Sequence, residues 1–304
     1  MPCFRPLEAW RGPKNPSGKR GIVFQASGGF GSPLQIPCGQ CIGCRLMRAQ
    51  DWAVRCVHEA QFHEENSFLT LTYAEEHRPA DGSVSPADLS AFIRRLRRAL
   101  APKRVRFLGC GEYGGITWRP HYHVLLFGHE FLSDRVRYRS TPYGCTYKSA
   151  ELDAIWGLGL CEVGSLTSQS AAYVARYSMK KITGDLAESH YLRPDPDTGE
   201  LRHLRPEFLA MSKQPGIGYD WFKKYAPDLR DDFAVVLSNN GAKKHTVPKY
   251  YDKLFDERER ERRKAERKAK ARLHRADQTP ARLRVREECT VHKSKLKLIR
   301  GNPE

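Results

Sequence analysis

Two histidines separated by a single residue offer the clearest chemistry in this sequence. His121 and His123 stand in the segment RPHYHVLLF, residues 119–127. On a β-strand, side chains two positions apart point to the same face, so both imidazoles would lie side by side. Neutral imidazole binds divalent metals, and a carboxylate as third ligand would leave open positions for substrate oxygens. Glu112 is the nearest candidate, since a hairpin would bring it back beside the pair. Alternatively, the two histidines are ordinary core or surface residues.

A second group of reactive residue types lies on a predicted helix. Spacings of four, seven and eight residues place four side chains on one ridge of that helix: Tyr173, Tyr177, Lys180 and Lys181. A tyrosine hydroxyl has an ordinary pKa of about 10 and becomes a useful nucleophile when a cation helps its proton to leave. The lysines supply positive charge beside the rings. The alternative is that the rings pack the helix onto a sheet while the lysines face solvent.

Cysteines form a third group with ligand spacing. Cys38, Cys41 and Cys44 are each three residues apart, and Cys3 is a candidate fourth ligand. Thiolates at this spacing bind zinc or form part of an iron–sulfur site, and the alternative is a set of reduced, buried thiols. The chain has nine cysteines and no apolar N-terminal signal, which favours free thiols or metal ligands over a disulfide framework.

The elements that must position these residues can be predicted from periodicity. Apolar residues three and four apart predict an amphipathic helix over residues 42–64, and alternation predicts a strand over 68–73. Further helices are predicted at 88–100, 149–156 and 168–182, and further strands at 105–108, 121–127 and 160–166. This order favours an α+β fold, a central antiparallel β-sheet with helices on one face. Residues 1–37 are expected to form an irregular arm, and residues 253–275 a solvated, basic helix.

Charge and composition point to a polyanionic partner. The 304 residues carry 52 Lys and Arg against 35 Asp and Glu, a net charge of +17, which favours nucleic acid over an acidic small substrate. About half of that excess lies in residues 253–304, a tail that either binds phosphates or forms an ordinary charged helix. The longest apolar runs are too short to span a membrane, so we expect no membrane association and a cytoplasmic location.

One competing motif is excluded by its context. Residues 109–114 fit the pattern G-x-G-x-x-G of dinucleotide-binding sites. Such a site needs a helix to begin at once, with its N-terminus facing the pyrophosphate. Here the glycines lead into another predicted strand, so the match is not interpreted as a nucleotide site.

The histidine strand followed by the tyrosine helix resembles the HUH endonucleases, specifically their two-tyrosine class. Four segments together resemble the replication initiators of gokushovirus-type microviruses, which are small single-stranded DNA phages: residues 37–45, 112–128, 173–181 and 211–218. Residues 68–73 resemble the first of the three family motifs. The resemblance covers roughly residues 36–225. It implies an RRM-like catalytic core, with an N-terminal arm over 1–64, an HUH endonuclease domain over 65–250 and a basic helical tail over 251–304.

The resemblance also implies a reaction, which is site-specific nicking and resealing of a single-stranded DNA origin. His121, His123 and Glu112 would hold Mg²⁺ or Mn²⁺, a tyrosine would form a 5′-phosphotyrosine link, and Lys180 would offset charge, with Lys181 assisting. In the bacterial cytoplasm a host DNA polymerase would extend the free 3′-hydroxyl. Because the chain has no P-loop, a host helicase would unwind the DNA.

DNA contacts are predicted at six further residues. Backbone contacts are expected from Arg94, Arg95, Arg97 and Arg98, and stacking on unpaired bases from Tyr113 and Trp118. Two other functions remain open from the sequence. One is a non-enzymatic basic nucleic-acid binder, and the other is a relaxase or transposase on the same catalytic core.

Overall fold

The computed structural model describes residues 3–141, 144–177, 186–195, 198–229, 232–238 and 241–301. The chain forms two compact units. We call Met1–Met47 together with Asp256–Glu304 the terminal unit, and Arg48–Phe255 the central unit. Each is described by itself.

The terminal unit begins with a small antiparallel sheet. Its strands are β1 (Leu7–Lys14), β2 (Arg20–Val23) and β3 (Phe30–Ile36), in the order β2-β1-β3. The expectation of an irregular arm over residues 1–37 is therefore wrong. That expectation came from the many Pro, Gly and Ser residues of the segment. Apolar alternation could not correct it, because Ala9 and Gly12 are the buried residues of β1 and none of β2 or β3 is buried. Helix α1 (Ile42–Ala60) follows and runs on into the central unit.

A seven-stranded antiparallel sheet dominates the central unit. Its strands are β4 (Asn66–Thr72), β5 (Arg106–Tyr113), β6 (Pro120–Phe127), β7 (Val136–Thr141), β8 (Gly144–Lys148), β9 (Cys161–Ser165) and β12 (Phe208–Met211). They lie in the order β12-β5-β6-β4-β9-β8-β7. Two short hairpins accompany it, β10 (Leu192–Pro194) with β11 (Leu201–His203), and β13 (Phe233–Ser238) with β14 (Gly241–Thr246). The α+β fold with a central antiparallel sheet is confirmed.

Helices cover both faces of this sheet. The helices of the central unit after α1 are α2 (Pro86–Ala99), α3 (Ala150–Trp156), α4 (Ser168–Tyr177), α5 (Leu186–Tyr191), α6 (Tyr219–Tyr225) and α7 (Lys249–Leu254). Helices α2 and α3 pack on the face that carries Tyr122 and Val124. Helices α1 and α4 pack on the face that carries Leu125 and Phe127, through Cys56 and Val174. The prediction of helices on one face is therefore wrong, because apolar residues of both parities along β6 are fully buried.

Helix α2 shows how local sequence sets an element boundary. Ser85 accepts a hydrogen bond from the Asp88 amide at 3.2 Å, and Pro86 occupies the first turn, where a missing N–H costs nothing. The side chains of Leu89, Phe92 and Leu96 are buried against the sheet. The helix predicted at 88–100 is thus confirmed.

The C-terminal part of the terminal unit is helical. Helix α8 (Glu257–Leu273) begins at Asp256, whose side chain accepts from the Glu259 amide, and α9 is Pro280–Gly301. Both are rich in charge, and Arg263 of α8 and Leu283 of α9 are buried. Among the described residues, no helix combines the length and apolarity needed to cross a bilayer.

Candidate active site

Strands β5 and β6 bring the predicted carboxylate to the histidines. Their register places Glu112 opposite His121, and Cys110 opposite His123. Glu112 Oε1 lies 2.9 Å from His121 Nε2 and 3.0 Å from His123 Nε2. One carboxylate oxygen is therefore shared by the two imidazoles, and the three residues form one cluster, which we call the His–Glu centre.

The outer nitrogens of the two rings have their own partners. His121 Nδ1 lies 3.1 Å from the backbone oxygen of Arg119, and since a carbonyl can only accept, Nδ1 carries the proton. His123 Nδ1 lies 3.1 Å from the hydroxyl of Thr70 on the neighbouring strand β4. These contacts fix how each ring is turned and aim both Nε2 atoms at Glu112.

The donor arrangement at His121 requires a positive species inside the centre. With its proton on Nδ1, a neutral His121 presents a lone pair from Nε2 to a carboxylate oxygen 2.9 Å away. Two lone pairs at that distance repel, so a proton or a metal ion must lie between them. An octahedral ion with ligands at about 2.1 Å keeps adjacent ligands about 3 Å apart. The observed N–O distances therefore fit a divalent ion held by two imidazoles and one carboxylate.

Glu112 is held in its ionised form. Its side chain is almost completely buried, and burial by itself would raise the pKa. The hydrogen bonds and charges of His121 and His123 outweigh that effect and lower the pKa of Glu112 to about 2. Because a metal ligand must be deprotonated, this carboxylate is ready to bind a cation at neutral pH.

Tyr173 lies directly against the His–Glu centre. Its ring centroid is 5.3 Å from that of His123, with the rings nearly perpendicular, and it also meets Phe68 edge-on at 6.1 Å. Phe68 itself stacks on His123 at 5.3 Å. The guanidinium of exposed Arg176 lies 5.8 Å from the Tyr173 ring. Helix α4 thus delivers an aromatic hydroxyl residue and a positive charge to the histidine side of the sheet.

The structure describes only part of the remaining tyrosine motif. Tyr177 is the last residue of α4, and its side chain is outside the described part of the chain. Lys180 and Lys181 lie wholly outside the described residues.

The arginines predicted to contact DNA lie on the other side of the sheet. Helix α2 packs on the face opposite the histidines. Its four arginines are exposed, as expected: Arg94, Arg95, Arg97 and Arg98. Arg95 nevertheless donates to the carbonyls of Ile155 and Trp156 at 2.7 and 2.6 Å, which caps the C-terminal end of α3. The guanidinium of Arg97 lies 3.5 Å from Ser212 Oγ.

The two aromatic residues predicted to stack on bases differ in access. Tyr113 is buried, and its hydroxyl donates to the Arg205 carbonyl at 2.7 Å, so no base can reach its ring in this arrangement. Trp118 is half-buried in the turn between β5 and β6, and the Arg193 guanidinium lies 3.9 Å from its ring centroid. Ile116, at the same turn, is 79% exposed. Trp118, which packs on Tyr113 and His190, is therefore the more accessible of the two aromatic residues.

The four predicted cysteine ligands also come together, in the terminal unit. The sulfur atoms of Cys3, Cys38, Cys41 and Cys44 all lie within 4.8 Å of one another. We call them the cysteine cluster.

The sequence analysis missed the residues that orient the centre. Thr70 and Phe68 contact His123, and the backbone of Arg119 holds His121. Thr70 pairs with His123 across β4 and β6, a register that sequence alone does not give. The period-two alternation of residues 68–73 was nevertheless a usable signal, because it puts Phe68 and Thr70 on one face.

Comparison with known proteins finds relatives among replication-associated proteins. A family model described as replication-associated protein ORF2/G2P matches residues 66–182, a range that contains both the His–Glu centre and α4. Replication-associated protein VP4 of Bdellovibrio phage phiMH2K is 33% identical over 261 residues, covering 83% of this chain and 76% of that protein.

Two further relatives carry similar names. Replication-associated protein ORF2 of Spiroplasma virus 4 is 32% identical over 231 residues, or 72% of this chain and 67% of that protein. Replication-associated protein ORF4 of Chlamydia phage 1 is 31% identical over 235 residues, or 74% and 54%. No solved structure matches the chain significantly. The resemblance to gokushovirus-type replication proteins is thus confirmed, and the chain belongs to the family of phage replication-associated proteins.

Proposed function

We propose that this protein is a single-strand DNA endonuclease and ligase that starts rolling-circle replication of a phage genome. The observation that carries the proposal is the placement of Tyr173 against His123, one of two imidazoles that share a Glu112 oxygen. A cation-binding cluster and an aromatic hydroxyl residue are thereby neighbours on one face of the sheet. The proposed endonuclease domain, residues 65–250, lies within the central unit.

The roles of the residues follow from their contacts. Glu112, His121 and His123 are the ligands for Mg²⁺ or Mn²⁺, which would polarise the scissile phosphate and offset the charge that develops on it. Thr70 and the Arg119 carbonyl keep the imidazoles turned toward Glu112. Three protein ligands leave coordination positions for phosphate oxygens, and the partly exposed His121 marks the accessible side of the centre.

A tyrosine is the nucleophile in this proposal. The phenolic oxygen forms a bond to phosphorus while the bond from phosphorus to the 3′-oxygen breaks. The phenolic proton is released, and the 3′-oxygen takes up a proton as a free hydroxyl. The product is a 5′-phosphotyrosine link that retains the phosphodiester energy, so the same hydroxyl can reverse the reaction without ATP.

Two tyrosines one helical turn apart allow the reaction to alternate. Tyr173 and Tyr177 are four residues apart on α4. After one round of synthesis the second tyrosine cuts the regenerated origin, and the released 3′-hydroxyl reseals the displaced strand. Lys180 and Lys181 are proposed to offset charge on the phosphate or the phenolate.

DNA would be held by a half-buried aromatic ring and along the charged surfaces. Trp118 is proposed to stack on an unpaired base, and the net charge of +17 to supply affinity for the backbone. Arg94 and Arg98 are proposed to contact phosphates on the α2 side. The Mg²⁺ or Mn²⁺, a host helicase and a host polymerase complete the proposed reaction.

The test uses the strand polarity of the product. The protein is incubated with Mn²⁺ and overlapping single strands that tile the phage genome, each labelled at its 3′ end. We expect one strand to yield a labelled protein–DNA adduct that survives denaturation, together with an unlabelled fragment that a polymerase can extend. Peptide mapping of the adduct identifies the tyrosine.

Matched variants show whether the named residues carry the reaction. The adduct should disappear in the double variant Tyr173→Phe/Tyr177→Phe and in His121→Ala. It should persist in Tyr138→Phe and His203→Ala, which change an exposed tyrosine and an exposed histidine elsewhere in the central unit. DNA binding without any adduct would contradict the proposal and favour a non-enzymatic binder. An adduct on strands unrelated to the phage origin would favour a relaxase or transposase.

A further inference from the structure

The cysteine cluster has the dimensions of a tetrahedral thiolate site. Cys3 Sγ lies 3.8 Å from Cys38 Sγ and 3.9 Å from Cys41 Sγ. Four sulfurs at about 2.3 Å from one zinc ion are about 3.8 Å from each other. We propose that Cys3, Cys38, Cys41 and Cys44 bind one structural Zn²⁺ that holds the terminal unit together.

Backbone amides are directed at these sulfurs. The Phe4 amide donates to Cys41 Sγ and the Cys38 amide to Cys3 Sγ, each at 3.3 Å. Cys38 Sγ accepts from the amides of Gln40 and Cys41 at 3.4 and 3.2 Å. Hydrogen bonds to a sulfur are stronger when it is a thiolate, so the loop around the cluster stabilises the ligand form of the cysteines.

Other states of four cysteines fit the distances less well. A disulfide needs sulfur atoms about 2.05 Å apart, and each of these cysteines is free. In a four-iron cluster each thiolate binds a different iron, which spreads the sulfurs farther apart than ligands of one ion. A set of neutral thiols would leave several weak donors crowded within 4.8 Å of one another. One ion with four thiolates explains the spacing.

The positions of the ligands in the fold give the ion its structural role. Leu7 of β1 pairs with Ile36 of β3, so Cys3 and Cys38 flank the same end of the small sheet. Cys41 and Cys44 lie at the start of α1. The site therefore joins both outer ends of a strand pair to the first turn of a helix.

The small sheet has little else to hold it. The buried cluster that includes its N-terminal end consists of Cys3, Cys41 and Cys44, with Phe4 and Cys38 packed against it. No residue of β2 or β3 is buried. A segment of this size rarely supplies enough apolar core to fold, and metal binding commonly replaces that core. The thiolates and their ion would then be the core of this region.

The experiment counts metal in a protein whose other metal site has been removed. The full chain carrying His121→Ala/His123→Ala is purified without added metal, dialysed against EDTA and analysed for zinc, iron and sulfide. We expect about one zinc per chain and no iron or sulfide. Titration with a mercurial thiol reagent should release the zinc as four thiols react, and X-ray absorption should show four sulfur neighbours.

Variants then assign the zinc to the cluster. Cys38→Ser and Cys41→Ser should lower the zinc content to below about one fifth, while Cys145→Ser and Cys289→Ser should keep it unchanged, because both lie outside the cluster. The thiol titration needs only the folded His121→Ala/His123→Ala protein with all its cysteines, so it decides the matter even where a cysteine variant does not fold. Less than one zinc per five chains, bound iron, or zinc retained by both cluster variants would overturn the proposal.

Discussion

The His–Glu centre and the cysteine cluster both gather potential metal ligands, but they are built in opposite ways. Glu112 and the two histidines stand on adjacent strands of a sheet whose apolar core is independent of them. The cysteine cluster lies where the terminal unit has few other buried side chains near its small sheet. Three ligands with mixed N and O donors suit an exchangeable ion and substrate, whereas four thiolates close the coordination of zinc. The contrast teaches that ligand number and surroundings, rather than the presence of ligands, separate the proposed reactive site from the proposed structural one.

The largest expected effect is a loss of catalysis in a protein that stays folded. We expect His121→Ala to lower the rate of adduct formation about a thousandfold, because one ligand of the ion that offsets phosphate charge is lost. The melting temperature should change by less than about 4 °C, since His121 is partly exposed and outside the apolar clusters. Adduct formation and circular dichroism measure the two effects. A loss of activity that follows unfolding would contradict the comparison, and His203→Ala serves as the control.

In the terminal unit we expect the opposite outcome, a loss of local structure while the His–Glu centre still binds metal. Cys41→Ala should open the small sheet, because three remaining thiolates hold zinc more weakly and no apolar core replaces it. We expect trypsin to cleave between residues 5 and 20 at least about tenfold faster than in the parent protein, because the cleavage rate follows the fraction of molecules in which this segment is unfolded. Manganese binding at the His–Glu centre should persist. Cys289→Ala, at an exposed cysteine, is the matched control. Cleavage at the parent rate would show that the small sheet does not depend on the cluster.

A third prediction concerns a buried histidine of the central unit that lies outside the His–Glu centre. His58 is fully buried, stacked on Trp221 at 3.6 Å, and its ring nitrogens lie 3.0 Å from Tyr251 Oη and from the Val235 carbonyl. Burial lowers the pKa of His58 to about 4 from its ordinary 6.5. Between those values the unfolded chain binds a proton that the folded chain does not, so stability is complete above pH 6.5 and falls as the pH is lowered toward 4.

The size of this effect is about 3 kcal/mol in the free energy of unfolding. Urea unfolding between pH 7 and 4 measures it, with EDTA present so that metal binding at the His–Glu centre does not contribute. The variant His58→Gln should be less stable at pH 7 and should show a flatter pH dependence. An equal slope in the variant would show that another group titrates.

The smallest expected effect sharpens the description of the His–Glu centre. Thr70→Val removes the hydroxyl that orients His123 while keeping the shape of the side chain. We expect manganese affinity to fall about tenfold, as for other residues that orient a metal-bound imidazole. Thr72→Val is the matched control on the same strand and face, since its hydroxyl donates to the Leu160 carbonyl instead. Calorimetry with Mn²⁺ compares the two variants, and equal affinities would exclude an orienting role for Thr70.

Much of the fold could be predicted because its signals are local. The apolar periodicity of α1 and α2 and the alternation in β4 and β6 each depend on neighbours a few residues away. The small sheet of the terminal unit could not be predicted in this way. Its strands pair through backbone hydrogen bonds and bury few side chains, so the sequence lacks the apolar alternation that predicts a strand.

In the candidate site, too, the residues placed by local spacing could be predicted and those placed by distant strand pairing could not. His121 and His123 could be placed on one face from their spacing, and Glu112 from the expectation of a hairpin, which the observed register confirms. The partners Thr70 and Phe68 come from a strand that is about fifty residues away in sequence. Tyr113 illustrates the opposite error, because an aromatic residue next to a site is as easily a buried packing residue.

By itself, the amino-acid sequence determined which groups could do chemistry here, the periodic elements that carry them, and the strong positive charge. These properties depend on residue types and short spacings, which the chain has before it folds. Only the tertiary structure decided that Glu112 Oε1 meets both Nε2 atoms, that Tyr173 lies against His123, and that four distant sulfurs converge. Those contacts depend on strand register and on how helices pack, which are set by the burial of many side chains together rather than by any one segment.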